Sequence, residues 1–189
     1  KAGENVLVSA AAGSTGLLAC QIARILGANV YGIAGGERKC RLLESDYGLI
    51  AAFDYKSGSV AAGLSRIEGG IHAYFDNVGG EILDDVLANM ALYGRVAICG
   101  LIAEYTGGRQ HGPENFDQIL MKRLRIEGFF SPDFMDQGEQ LTARLRSWVD
   151  AGTLSLPYDV TTGLENTLEA YAKLFTGANI GKVLVELQS

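Results

Sequence analysis

Short apolar runs rich in β-branched residues alternate with helical patterns along most of the chain. This alternation constrains the fold more than any single motif does. Strands are expected at residues 5–9, 29–34, 50–54, 71–76, 95–99 and 125–130, with helices between them at 15–26, 37–47, 59–66, 81–92 and 114–120. The strands are nearly continuous in apolar character, which means that both faces of their sheet are covered. Such a sequence builds a parallel sheet with helices on both sides, a doubly wound α/β fold of the Rossmann type. The tail breaks the rhythm. Residues 136–151 read as an amphipathic helix ended by Gly152, then come a helix at 166–175 and a strand at 183–187. That last helix and strand either extend the same sheet or belong with a neighbouring domain.

At 189 residues the chain is long enough for one domain with a sizeable core, or for a domain with an appendage. Its net charge of −6 argues against a general binder of nucleic acid or of anionic membranes. No apolar run approaches the ~18 residues a membrane span needs. Cys20, Cys40 and Cys99 lie far apart, and His72 and His111 are the only histidines. Neither C-x-x-C nor H-x-x-x-H occurs, so no metal site is expected. The three cysteines read as small buried apolar residues, and so sparse and odd a set suits a reducing cytoplasm.

The first strand runs into "SAAAGSTGLLA", an Ala11-x-Gly13-x-x-Gly16 turn that opens a helix. In a dinucleotide-binding turn, the glycine at position 13 lets backbone approach a pyrophosphate, and Gly16 allows close helix–strand packing. The helix N-terminus adds free N–H groups and the positive end of its dipole. Ala11 in place of a first glycine is tolerable if that residue does not need a positive φ. In the helix, "TGLLACQIARILG", only Gln21 and Arg24 are strongly polar. A narrow polar face implies cover on more than the sheet side, from another domain or a subunit.

The end of the second strand carries more information. An NAD site places Asp or Glu there to bond the ribose 2′-hydroxyl, whereas this chain has Ala34, Gly35 and Gly36 followed by Glu37, Arg38 and Lys39. Room and positive charge are what a 2′-phosphate requires. Arg38 and Lys39 otherwise read as the solvated start of a helix, although cations at a helix N-terminus oppose its dipole. Two further strand ends reach the same crevice. "YFDNVGG" places Asn77 there, as a ribose or carboxamide partner or as an Asx-turn residue. "VAICGLIAEY" brings Gly100 and then Tyr105, a loop anchor or a proton donor.

Taken together, "VLVSAAAGSTG", "GIAGGERK", "DYK", "YFDNVGGEILD", "VAICGLIAEY" and "GANIGKVLVEL" resemble the cofactor half of the medium-chain dehydrogenase/reductase superfamily. More narrowly, they are similar to its zinc-independent, NADPH-dependent double-bond reductases, such as the prostaglandin and curcumin reductases. The resemblance implies that Gly13, Ser14, Thr15 and Gly16 hold the pyrophosphate of NADPH. Gly35, Lys39 and Tyr55 would face the 2′-phosphate, and Asn77 the ribose. Cys99, Gly100, Leu101, Ile102 and Tyr105 would line the nicotinamide, with Phe129, Phe130, Ser131 and Asn179 completing the pocket. Asn179 has the least support from local chemistry, since by itself it reads as a turn residue. In this family the substrate domain precedes the segment that begins "KAGENVLV", so the chain is expected to be the C-terminal half of a two-domain enzyme. Residues 1–155 would form the cofactor domain, and residues 156–189 a tail associated with the substrate domain.

The implied activity is reduction of the C=C bond of an α,β-unsaturated ketone or aldehyde, with Tyr105 as the catalytic residue and no metal. A quinone is the alternative substrate within the superfamily. A homodimer through the sixth strand and a cytoplasmic location are implied as well. A nucleotide-binding or sensing module without catalysis is the reading from another class. A short-chain dehydrogenase is excluded because no Tyr-x-x-x-Lys occurs. A methyltransferase on a similar sheet would want the acid that Ala34 replaces.

Overall fold

The first strand, β1 (Asn5–Val8), is buried at the centre of a parallel sheet because the covering helices leave no solvent face. The computed structural model describes residues 1–103 and 112–187. Next come α1 (Ser14–Ile25), β2 (Asn29–Ala34), α2 (Glu37–Ser45), β3 (Ala51–Asp54) and the short α3 (Ala61–Leu64). The second half of the sheet follows as β4 (Ile71–Asp76), α4 (Gly80–Asn89), β5 (Met90–Ile98), α5 (Asp117–Met121) and β6 (Arg125–Gly128). The strand order is β3-β2-β1-β4-β5-β6, with every pairing parallel. This is the doubly wound fold expected, and the crossover between β1 and β4 opens a crevice at the carboxyl ends of those strands.

Alternation along β1 divides the core between the two faces of the sheet. Leu7 packs with Ile33, Leu64, Tyr74 and Val96 on one side, while Val8 packs with Leu17, Cys20, Val30 and Leu43 on the other. Burial pushes the Cys20 thiol up to about 12, as suits a small apolar core residue. Cys40 is buried too, but Cys99 is only partly so.

Three differences from the sequence expectations have physical causes. The helix expected to reach residue 92 stops at Asn89, because Met90 is needed in the core and already pairs with Ile71 as β5 begins. The strand then slips register before Arg95, and Tyr93 takes a positive φ of 59° on the exposed side of this irregularity. Second, the tail neither extends the main sheet nor forms a single strand. After α6 (Gly138–Asp150), it folds as β7 (Tyr158–Thr162), α7 (Thr167–Thr176) and β8 (Lys182–Glu186), whose strands pair in parallel in their own sheet. Third, this chain itself supplies cover over Gln21, through the backbone of Ser155. Gln21 is buried, with Nε2 donating to the Ser155 carbonyl at 3.1 Å and Oε1 accepting from the Ser155 N–H at 2.8 Å. Arg24 donates to the carbonyl of Tyr47.

The tail lies against the mouth of the crevice. Gly181 forms a parallel bridge with Gly13 and donates its N–H to the Ala12 carbonyl at 2.9 Å.

Candidate functional site

The turn after β1 is shaped by close packing. The positive φ falls on Ala10 (47°), not on Ala11. Ala11 is fully buried where β2 carries Gly32, and a Cβ on Gly32 would lie 2.9 Å from that of Ala11. The methyl group at the first motif position therefore occupies space that a second-strand glycine leaves open. A Cβ on Gly16 would sit 2.2 Å from the Ala10 carbonyl oxygen, so the helix can approach the turn only with glycine there. Gly13 precedes α1 without any side-chain cap, and the first turn of α1 carries no acid. Its free N–H groups face the crevice, an arrangement suited to an anion.

The carboxyl end of β2 is flanked by cations. Lys39 is half-buried, and its Nζ donates to the carbonyl of Gly177 at 2.7 Å, just past the C-terminus of α7. Burial, with Lys56 and Arg38 close by, holds its ammonium below the usual lysine range. Among the described residues, no carboxylate pairs with Lys39, Arg38 or Lys56. Glu37, which could have taken the role of a ribose-binding acid, instead pairs with Arg41 on the exposed face of α2. A Cβ on Gly35 would lie 2.8 Å from Tyr55 Oη, so Tyr55 lies directly over that glycine.

The end of β4 is organised by Asp76, which is fully buried. Its Oδ1 accepts from Ser9 Oγ (3.1 Å), Tyr74 Oη (2.8 Å) and the N–H groups of Val78 (2.9 Å) and Gly79 (3.0 Å). Asp76, not Asn77, thus makes the Asx-type turn. Burial, reinforced by the Asp76 carboxylate, pushes the Tyr74 phenol well up, so it stays a hydrogen-bond donor. Asn77 Nδ2 donates to the Ser9 carbonyl at 2.7 Å. This orients the carboxamide and leaves its oxygen without a donor among the described residues. Burial, with Asp76 nearby, also raises the Cys99 thiol, which argues against a reactive thiolate.

These turns enclose a cleft of about 860 Å³, a size suited to a cofactor or small molecule. Gly13, Ser14, Thr15 and Gly16 line it, as do Gly35, Lys39, Tyr55, Asn77, Ile102 and Asn179. A family model described as zinc-binding dehydrogenase matches residues 14–147. The chain belongs to this family.

Its relatives within the family agree with the superfamily named from the sequence motifs. The chain is 42% identical over 187 residues to the 2-alkenal reductase (NADP(+)-dependent) of Nicotiana tabacum, covering 98% of this chain and 54% of that protein. It is 37% identical over 191 residues to prostaglandin reductase 1 of Mus musculus, covering 98% of this chain and 57% of that protein. Among solved structures, CurA from Vibrio vulnificus in complex with NADPH superposes with a TM-score of 0.92 at 32% identity, over 100% of this chain and 58% of that one. The chain therefore spans about half the length of the curated relatives it matches. Among the described residues of this zinc-binding dehydrogenase family member, no group of three or more His, Cys, Asp or Glu side chains is placed to hold a metal ion. No helix among those residues is long and apolar enough to cross a membrane.

Not every residue singled out from the sequence meets in the cleft. Cys99 and Gly100 follow β5, with both N–H groups donating to the Asp76 carbonyl, but neither they nor Leu101 line it. Phe129 follows β6 and packs against Phe75 with ring centroids 5.9 Å apart, and neither it nor Phe130 or Ser131 lines the cleft. Tyr105 lies outside the described residues. Asn179 does both things weighed for it, donating to the Gly181 carbonyl at 2.9 Å as a turn residue and lining the cleft. Sequence reasoning missed the apolar wall that the tail supplies, chiefly Tyr171, Leu174, Phe175 and Val183. Helical spacing marked those residues as apolar but could not say what they would face.

Proposed function

We propose that the chain is the NADP(H)-binding part of an oxidoreductase that reduces the C=C bond of α,β-unsaturated ketones or aldehydes. The observation that carries the cofactor reading is the end of β2: no acid at Ala34, Gly35 under Tyr55, and Lys39 half-buried without a carboxylate partner. The uncapped N-terminus of α1 and the glycine cradle at positions 13 and 16 fit a pyrophosphate, and the free oxygen of Asn77 fits a ribose hydroxyl. The reductase activity is supported by the 2-alkenal and prostaglandin reductases among the relatives and by the NADPH complex of CurA.

When bound, NADPH supplies the hydride that reaches the β-carbon of the substrate. The chain's own residues bind and orient. The Gly13–Gly16 turn holds the pyrophosphate, Lys39 with Tyr55 selects the 2′-phosphate, and the apolar wall of α7 and β8 excludes water. Negative charge builds on the substrate carbonyl oxygen during the reaction, and a nearby hydrogen-bond donor stabilises it. We assign that role to Tyr105, with Cys99, Gly100, Leu101, Phe129, Phe130 and Ser131 lining the approach from β5 and β6. The proposed domain boundary falls at residues 155 and 156. A cytoplasmic location is supported by the free thiols, and a homodimer by the exposure of every residue of β6. The test is direct binding of NADPH and NADH, followed by an enone-reductase assay of the full-length protein. Preference for NADPH together with turnover of an enone supports the proposal. Equal affinity for the two cofactors overturns the cofactor assignment. Tight NADPH binding without turnover of any enone, enal or quinone favours the binding-module reading.

A further inference from the structure

Asp54, the last residue of β3, opens the "DYK" motif, yet the cofactor reading gives it no role. One of its oxygens nevertheless joins two turns that the fold brings together from different βα units. Oδ1 accepts from the N–H of Gly36 at 2.7 Å and from the N–H of Lys56 at 2.9 Å. The first donor lies in the turn between β2 and α2, and the second in the turn after β3. The backbone carbonyl of Asp54 also accepts from Ser57 Oγ at 2.7 Å, which tightens the second turn.

The consequence is visible at Gly35. A Cβ there would lie 2.8 Å from Tyr55 Oη and 2.9 Å from Lys56 Cε. The space over Gly35, next to Ala34 where a ribose-binding acid would stand, is already filled by two side chains of the Asp54 turn. We propose that Asp54 is a positioning residue for cofactor selectivity. By tying Gly36 to Lys56, it holds Tyr55 and Lys56 over Gly35, filling the space beside Ala34 and keeping positive charge beside the 2′-phosphate position. The inference rests on the NADP(H) reading above. The carboxylate is an anion close to where another anion would bind. Two N–H donors on one of its oxygens offset that charge and fix the group as a structural acceptor.

The test compares Asp54→Ala and Asp54→Asn in the full-length protein, with NADPH and NADH titrated by calorimetry and folding checked by thermal unfolding. An Asn carboxamide oxygen can accept the same two hydrogen bonds, so Asp54→Asn keeps the wild-type preference for NADPH. Asp54→Ala loses both bonds and lowers the ratio of NADPH to NADH affinity by about tenfold. If Asp54→Ala does not fold, Asp54→Ser replaces it, since a hydroxyl is too short to span both N–H groups, and the same loss is expected. Equal weakening of both cofactors, or an unchanged ratio, would show a merely structural role and overturn the inference. Tighter NADPH binding in both variants would overturn it as well, by showing that the carboxylate acts only as a repelling charge. A wild-type protein that does not prefer NADPH would overturn the underlying reading. A selective wild-type protein with a selective Asp54→Ala variant would overturn this inference alone.

Discussion

At the scale of single residues, Lys39 carries the sharpest expectation. Its ammonium is half-buried and is held by a helix-terminal carbonyl rather than a carboxylate, so its charge remains available to an anion. Lys39→Ala should weaken NADPH binding by about 1.5–3 kcal/mol and leave NADH nearly unchanged, as isothermal titration would read. The pH dependence follows from the lowered pKa. The protonated form binds a phosphate, and a bound phosphate raises the pKa. NADPH affinity is therefore full below the free-site pKa, falls as pH rises through it, and levels off above the pKa of the bound state. NADH affinity should stay flat over the same alkaline range, and titrations of both cofactors at several pH values check the contrast. Lys56, the last residue of "DYK", received no role in the sequence reading, although it follows Tyr55 directly. Nothing in a linear sequence indicates that its stem crosses Gly35, because that contact depends on how β2 and β3 pair.

At the scale of elements, the departure at Ala11 has a local compensation. Gly32 in β2 leaves room for the Ala11 methyl, so the pair acts as a small–small contact between strand and turn. Gly32→Ala would press a methyl against Ala11 Cβ at 2.9 Å and Leu49 Cδ2 at 2.8 Å. A loss of about 1–3 kcal/mol in stability is expected from denaturant melts. Ala11→Gly in the same background should recover part of it, by ~0.5 kcal/mol or more in a double-mutant cycle. The strands were legible because burial on both faces writes an apolar run that needs no partner to be recognised. The start of β5 was not, because Met90 to Gly94 pair irregularly and their sequence also suits a helix end. β7 escaped notice because Tyr158–Thr162 is half-exposed and polar at alternate positions, giving no apolar run. The partner of Gln21 was hidden for a related reason. A polar residue on an apolar helix face can be covered by backbone from a distant segment, and only the fold shows that Ser155 supplies it.

At the scale of the whole molecule, the chain matches about half of its curated relatives' length, so the chemistry is a property of the longer proteins they represent. If the proposed metal-free mechanism holds, a chelator should leave enone reduction by the full-length protein unchanged within assay error. Complete loss that zinc restores would refute it. The site residues most open to sequence reading were those whose backbone geometry dictates their identity, such as Gly13 and Gly16. Those supplied by the tail were least open, because an apolar helix does not announce which face of the fold it will cover.

The bridge between Gly13 and Gly181 gives the site an order in time as well as in space. Ribosomal synthesis delivers the phosphate-binding turn early and its clasp late. A nascent chain halted near residue 155 already holds all six strands of the main sheet but has no Gly177 to hold Lys39 and no α7 to roof the cleft. NADPH should therefore gain little from the sheet alone, and its affinity should rise steeply once the segment through residue 181 has emerged. Arrested chains of increasing length, each titrated with the cofactor, would trace that step. The cofactor would then act as a reporter that translation has passed the tail, binding only chains whose α7–β8 segment has closed over the turn after β1.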